Sequence, residues 1–275
     1  MRKLVHVFSQ PGRAAALVFL CAVYTGALLT PLFVTESYDV QHREFLNELP
    51  GKAFLLGADD LGRDRLVRLL YGVRTSLLLA PAAALLSTLI AAIAGTVAGI
   101  ARGRLAGVIL YATDLMVATP VIFLLLTLRA LLPLDTSAGV SVVCTFLLLG
   151  ATGWGSGVRV ITAAASRSAE AGYALQARAF GCSRTRLLFR QVIPNVLPAI
   201  LASFWLGVPG FVLAEATLGM LGLGVTEPLP SLGNLISELL NYAAVVEQPW
   251  IAAPALLLFL ILSSLRLVLA DKETV

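Results

Sequence analysis

Apolar positions along this chain gather into long uncharged runs, separated by short segments that hold nearly all the charge. A helix needs about 20 mostly apolar residues to cross a bilayer. Reading between charges gives six such runs: Ala14 to Val34, the stretch between Arg74 and Arg102, Leu105 to Leu128, Thr136 to Val158, Val196 to Leu221, and Gln248 to Leu265. Asp114 interrupts the third run and Glu215 the fifth. The pattern predicts an all-α polytopic membrane protein with six transmembrane helices and both termini on one side. The first run has two readings, a cleaved leader or a retained helix. It exceeds the 7–15 apolar residues of a typical leader and no A-x-A site closes it, which favours the helix.

Two polar segments carry periodicity of their own. In Asp60 to Arg74, Leu66, Leu69, Leu70 and Val73 recur at i, i+3, i+4 and i+7, with Arg63 and Arg68 off that face. This predicts an amphipathic helix on the outer membrane surface, capped by Asp59 or Asp60 and leading into the second span. The segment from Arg159 to Asn195 is longer than reversing the chain requires. Ala174, Ala177 and Gly181 form a stripe of small residues there, Gly181 reads as the residue closing a helix, and Pro194 and Pro198 mark the start of span five. An ordinary solvated loop with a surface helix and a docking element for a soluble partner both fit.

Composition supports the bilayer as solvent. The chain has 275 residues, 58% hydrophobic and 13% charged, about half the charge of a typical soluble protein; its mean hydropathy is +0.89. Lys and Arg set orientation. With the N-terminus inside, thirteen fall on inner segments: Arg2, Lys3, Arg13, Arg102, Arg104, Arg159, Arg167, Arg178, Arg184, Arg186, Arg190, Arg266 and Lys272. Seven fall outside: Arg43, Lys52, Arg63, Arg65, Arg68, Arg74 and Arg129. Among acidic residues only Glu170, Asp271 and Glu273 are inner. Four outer arginines belong to the expected surface helix, where snorkelling weakens their vote. The net charge of +4 is thus a topology signal, and no nucleic-acid partner is needed to explain it. Cys21, Cys144 and Cys182 lack C-x-x-C spacing and read as small hydrophobes. His6 and His42 are too distant in sequence for a His-rich metal site, and no metal or cofactor is expected.

Tyr173-Ala-Leu-Gln-Ala177-Arg-Ala-Phe-Gly181-Cys-Ser, followed by Val192-Ile-Pro194-Asn195, resembles the EAA loop of binding-protein-dependent ABC permeases. Leu175 stands where that motif carries its namesake glutamate. Three further stretches are similar to the dipeptide/oligopeptide/nickel subfamily. They are Gly57-Ala-Asp-Asp-Leu-Gly62-Arg63-Asp64 with Arg68-Leu-Leu-Tyr-Gly72-Val-Arg74-Thr-Ser76, Asp114 through Pro120, and Glu215-Ala-Thr-Leu-Gly-Met-Leu-Gly222-Leu-Gly224 with Pro228-Leu-Pro230-Ser231-Leu-Gly233. Departures include Ala106, Tyr111 and Leu232 at motif positions and a largely eroded C-terminal motif around Ser263 to Asp271.

The resemblance implies a MetI-like, type I importer fold with an N-terminal region over residues 1–70 and a transport domain over 71–270. A coupling helix at about 168–182 would dock on an ATP-hydrolysing subunit through Tyr173, Ala174, Ala177, Arg178, Gly181 and Cys182. It further implies a second, different permease chain, two ATP-binding cassette subunits, an extracytoplasmic solute-binding protein, and residence in a bacterial cytoplasmic (inner) membrane. Peptides are the expected cargo, with nickel chelates and other small solutes behind. The chain has no G-x-x-x-x-G-K-[S/T], so it is expected to be non-catalytic, ATP being hydrolysed by another chain.

Asp114 and Glu215 are the carboxylates inside spans, and such groups usually face a bundle interior, a partner or water. They are candidates for the translocation path or gate, or else for bonds between helices. Trp154 and Trp205 read as packing residues and Trp250 as an interfacial anchor. A membrane enzyme would need a nucleophile–base pair or metal ligands, and no histidine lies in a span. A secondary transporter would be expected to show repeated halves or broken helices near midplane, and neither is evident in the sequence. A purely structural membrane subunit also stays open.

Overall fold

A computed structural model describes residues 11–101, 103–131 and 137–270. Arg2, Lys3, His6, Arg102, Thr136, Asp271, Lys272 and Glu273, and the side chains of Arg129 and Arg184, lie outside the described residues. The described part is helical, with one isolated bridge between Ala58 and Asp64. In chain order the α-helices are α1 (Pro11–Phe33), α2 (Arg65–Ile100), α3 (Arg104–Ala118), α4 (Val121–Ala130), α5 (Ala138–Thr152), α6 (Gly155–Glu170), α7 (Gly172–Ala179), α8 (Arg184–Leu187), α9 (Ile193–Met220), α10 (Leu232–Ile236), α11 (Tyr242–Glu247) and α12 (Ala253–Leu269).

Four helical stretches among the described residues are long and apolar enough to cross a membrane: Pro11–Phe33, Arg65–Ile100, Thr185–Met220 and Pro249–Leu269. Two bent pairs bring the number to the six expected when each is counted as one span. Arg104–Ala118 with Ile122–Leu128 bends by 91°, and Ala138–Thr152 with Gly155–Glu170 by 42°. The third and fourth spans are therefore broken rather than continuous. At the first break, the ring of Pro120 disfavours helical backbone in the residue before it, and Thr119 is extended at φ −76°, ψ 125°. The second break falls at Gly153 and Trp154. Broken helices thus do occur here, although the sequence did not reveal them.

No separate surface helix precedes span two. Residues 65–100 form one unbroken helix whose start is capped by Asp64, not by Asp59 or Asp60: the Asp64 carboxylate accepts from the N–H of Leu66 at 2.7 Å and of Val67 at 3.3 Å. The arginines expected to snorkel are internal instead, with Arg68 2% and Arg63 9% exposed. Arg63 pairs with Asp59 four residues before it, and Arg68 pairs with Glu227 far along the chain, so both side chains turn toward carboxylates inside the protein.

The chain forms two compact units, Met1–Pro81, Leu132–Phe146 and Pro209–Val275 in one, and Ala82–Leu131 and Leu147–Val208 in the other. In the first, α1 packs along α12, and α10 packs on α12. In the second, Ala91 of α2, Val158, Ile161, Ala165 and Ala169 of α6, and Val192 and Val196 before and within α9 form a continuous apolar core. Arg159, where the inner segment was expected to begin, lies within α6, which continues to Glu170 with one face packed on this core.

Candidate functional site

In the second unit, the segment from Ala171 to Leu187 builds a short helical projection. Ala171 is extended at φ −63°, ψ 149°, which ends α6 and starts α7. Tyr173 is anchored back to α6 by a 2.8 Å hydrogen bond between its hydroxyl and that of Ser168. Gly181 closes α7 with φ +77°, a left-handed conformation that a side chain disfavours. Its N–H donates to Arg178 O and that of Cys182 to Ala177 O, both at 3.0 Å, the paired bonds of a Schellman cap. Beyond it the helix resumes through a π-turn at Leu188–Val192, and the Asn195 amide donates to Gln191 O at 2.6 Å.

The residues singled out from sequence do not share one face. Ala174 is fully buried in its own chain, so it fixes α7 rather than offering contact. Ala177 is half-buried. Arg178 and Cys182 line a cavity of about 780 Å³ together with Thr96, Val97, Ile100 and Leu188. Outward lie Tyr173, Leu175 and above all Phe180, which is 90% exposed. Sequence reasoning passed over Phe180; the available signal was a large aromatic immediately before the closing glycine of a polar loop.

In the first unit, two polar assemblies join the segment ahead of α2 to the segment after α9. Asp59 accepts from the N–H of Leu61 and Arg63 and from Arg63 Nε at 2.7 Å. Glu227 takes Arg68 as a fork, at 2.7 and 3.2 Å, and also Arg63 Nη1 at 2.8 Å. Burial works to lower the pKa of Arg63, but hydrogen bonding and charge from Asp59 and Glu227 outweigh it and hold the guanidinium above its ordinary value. Arg65 bonds Ala58 O and the Glu238 carboxylate. Deeper in, the Leu232 N–H donates to Ser76 Oγ at 3.0 Å, and that hydroxyl donates to Glu215 at 2.7 Å. Gly219 and Gly233 meet there backbone to backbone, with no room for a Cβ at either.

Glu215 is completely enclosed and so does not line an open passage in this conformation. Asp114 lies in the second unit, paired with Arg159 Nη2 at 2.6 Å and largely exposed. The expected anchor Trp250 turns its indole Nε1 inward, close to Gly57, rather than outward. Among the described residues no cluster of three His, Cys, Asp or Glu side chains forms a metal site.

Residues 75–271 match the family described as binding-protein-dependent transport system inner membrane component. The chain belongs to that family. Curated relatives of these inner membrane components include the oligopeptide transport system permease protein OppC of Bacillus subtilis (strain 168), 31% identical over 85% of this chain and 74% of the relative. The di/tripeptide transport system permease protein DppC of Pseudomonas aeruginosa (strain UCBPP-PA14) is 30% identical over 93% and 84%. The dipeptide transport system permease protein DppC of Haemophilus influenzae is 31% identical over 82% and 77%. Family membership and the apolar helices together make the protein a multi-pass inner-membrane transport component with a MetI-like domain.

Proposed function

We propose that this chain is the non-catalytic permease subunit of an ABC importer for small peptides. The observation that carries the reading is the projection at Gly172–Ala179, cantilevered from α6 and closed by Gly181, within a chain whose relatives are peptide permeases. Such an importer needs a rigid lever through which nucleotide-driven motion of a soluble subunit reaches the membrane helices. The 2.8 Å Tyr173–Ser168 bond and buried Ala174 make α7 rigid toward α6, and Phe180 with Leu175 supplies an apolar knob. With Leu175 in place of the motif's glutamate, the contact to the ATPase is apolar rather than ionic. Arg178, Gly181, Ala177 and Cys182 shape the projection behind that knob.

The remaining assembly follows from this role: a second permease chain, two ATP-binding cassette subunits and an extracytoplasmic binding protein. Residues 1–70 supply the first span and outer segment, and 71–270 the transport domain. N-terminus and C-terminus lie in the cytoplasm, as the Lys and Arg distribution favours. Reporter fusions at both ends, active only on the cytoplasmic side, test the orientation.

The deciding experiment is purification of the tagged chain from its own membranes in mild detergent, combined with uptake of labelled di- and tripeptides by cells with and without the gene. Co-purification of an ATP-binding cassette subunit and gene-dependent peptide uptake are expected. A chain that purifies without any ATPase and changes no uptake refutes the reading.

A further inference from the structure

The Asp114–Arg159 ion pair joins two helices that both belong to candidate membrane spans. Asp114 lies ten positions beyond Arg104 on α3, about 15 Å along the helix axis, within the apolar sequence Val108 to Val117. Its partner sits one turn into α6, beside the Gly153–Trp154 break, while Pro120 breaks the other strand of the crossing six residues beyond Asp114. The helices are tightly packed here. Thr113 and Gly155 are buried, and a Cβ at Gly155 would meet Val117 Cγ2 at 2.8 Å. Yet the pair itself is open, with side-chain exposures of 54% for Arg159 and 60% for Asp114.

Charges at that depth are not left facing lipid, and broken backbone there is tolerated where protein or water covers it. The rest of α6 distinguishes the two. Its packed face is Val158, Ile161, Ala165 and Ala169, whereas its open face carries Ser156, Arg159, Ala163, Arg167 and Glu170, a mostly polar and small-residue stripe with the apolar Val160 exposed beside it. A stripe with two basic groups and one acidic group, completed by Asp114, suits water and a ligand bearing both charges. An apolar partner helix would leave those groups unsatisfied.

We propose that Asp114 and the α6 stripe form the polar wall of a water-filled translocation route, and that the Asp114–Arg159 pair is a subsite for the terminal ammonium and carboxylate of a passing peptide. This rests on the peptide-permease reading above. The pair opens to exchange partners, Asp114 taking the ammonium and Arg159 the carboxylate, and closes again when the peptide leaves.

The test uses the assembled transporter in proteoliposomes with its ATPase and binding protein. In a background with Cys21 and Cys144 changed to serine and Cys182 kept, Ala163→Cys is labelled by a membrane-impermeant charged methanethiosulfonate and read against the same background without the added cysteine, Val108→Cys serves as the apolar-face control, and a dipeptide is added during turnover. Expected are labelling at 163 but not at 108, slowed by the dipeptide, and a loss of roughly tenfold in maximal dipeptide uptake by both Asp114→Asn and Arg159→Gln, with complex assembly intact. Absence of labelling at 163 in an assembled complex overturns the water-filled route and assigns the stripe to a partner chain. Labelling without protection, together with wild-type uptake by both charge variants, overturns the subsite alone. A wild-type transporter that labels at 163 but moves no peptide refutes the peptide reading while leaving the aqueous wall standing.

Discussion

Asp59, Arg63, Arg68 and Glu227 together balance two positive and two negative charges, three of them buried. A buried ion pair gains little over an apolar substitute, but removing one partner strands the other, at a cost of about 3–5 kcal/mol. Arg68→Ala is therefore expected to lower the thermal stability of the purified protein sharply, and Arg68→Met less so, as read by the midpoint of thermal aggregation in detergent. The Leu232–Ser76–Glu215 chain makes a milder forecast. Ser76→Ala removes a hydroxyl that both donates and accepts, for a loss of about 1–3 kcal/mol measured the same way. Most of these residues were visible in the sequence as motif positions, yet their partnership was not. Arg68 and Glu227 are 159 residues apart, and no local period connects them.

At the level of elements, α7 combines a rigid base with an exposed tip. Gly181 has open space around a would-be Cβ, so its only structural demand is the positive φ. Gly181→Ala is expected to cost about 1 kcal/mol and leave transport coupled. Gly181→Arg adds a large cation beside Phe180 and is expected to uncouple ATP hydrolysis from uptake while membrane insertion is retained. Normal coupled uptake by that variant would remove α7 from the docking role. Phe180→Ala is the complementary prediction: it should weaken capture of the ATPase subunit on a tagged chain without altering the yield of folded permease. The helix-closing role of Gly181 was legible beforehand, because cap chemistry is local. The inward turn of Ala174 was not, since which face of an eight-residue helix is covered depends on where α6 ends.

Considered whole, the molecule exposes much large apolar surface, including Val18, Leu32, Val108, Tyr111, Leu256 and Phe259 on long helices. In a multi-pass membrane protein these faces meet lipid or companion chains, and no aqueous explanation suits them. A charge placed there should be penalised as in any span. Phe259→Arg in α12 is expected to disfavour insertion by about 2.5–3.5 kcal/mol, seen as a larger fraction of chain extracted from membranes by alkaline carbonate.

Sequence by itself determined the class of structure: uncharged runs of span length demand helices in a bilayer, because hydrocarbon offers the backbone no hydrogen-bond partner outside a helix. It also placed Gly181 and the motif segments, whose effects act over a few residues. Tertiary structure decided the rest. Spans three and four became broken pairs, the expected surface helix became the buried start of α2, and Glu215 was enclosed while Asp114 stayed open. Each of these outcomes turns on which distant side chain supplies a counter-charge or a covering surface. That information lies in the packing of elements remote in sequence, where neither hydrophobic period nor local propensity reaches.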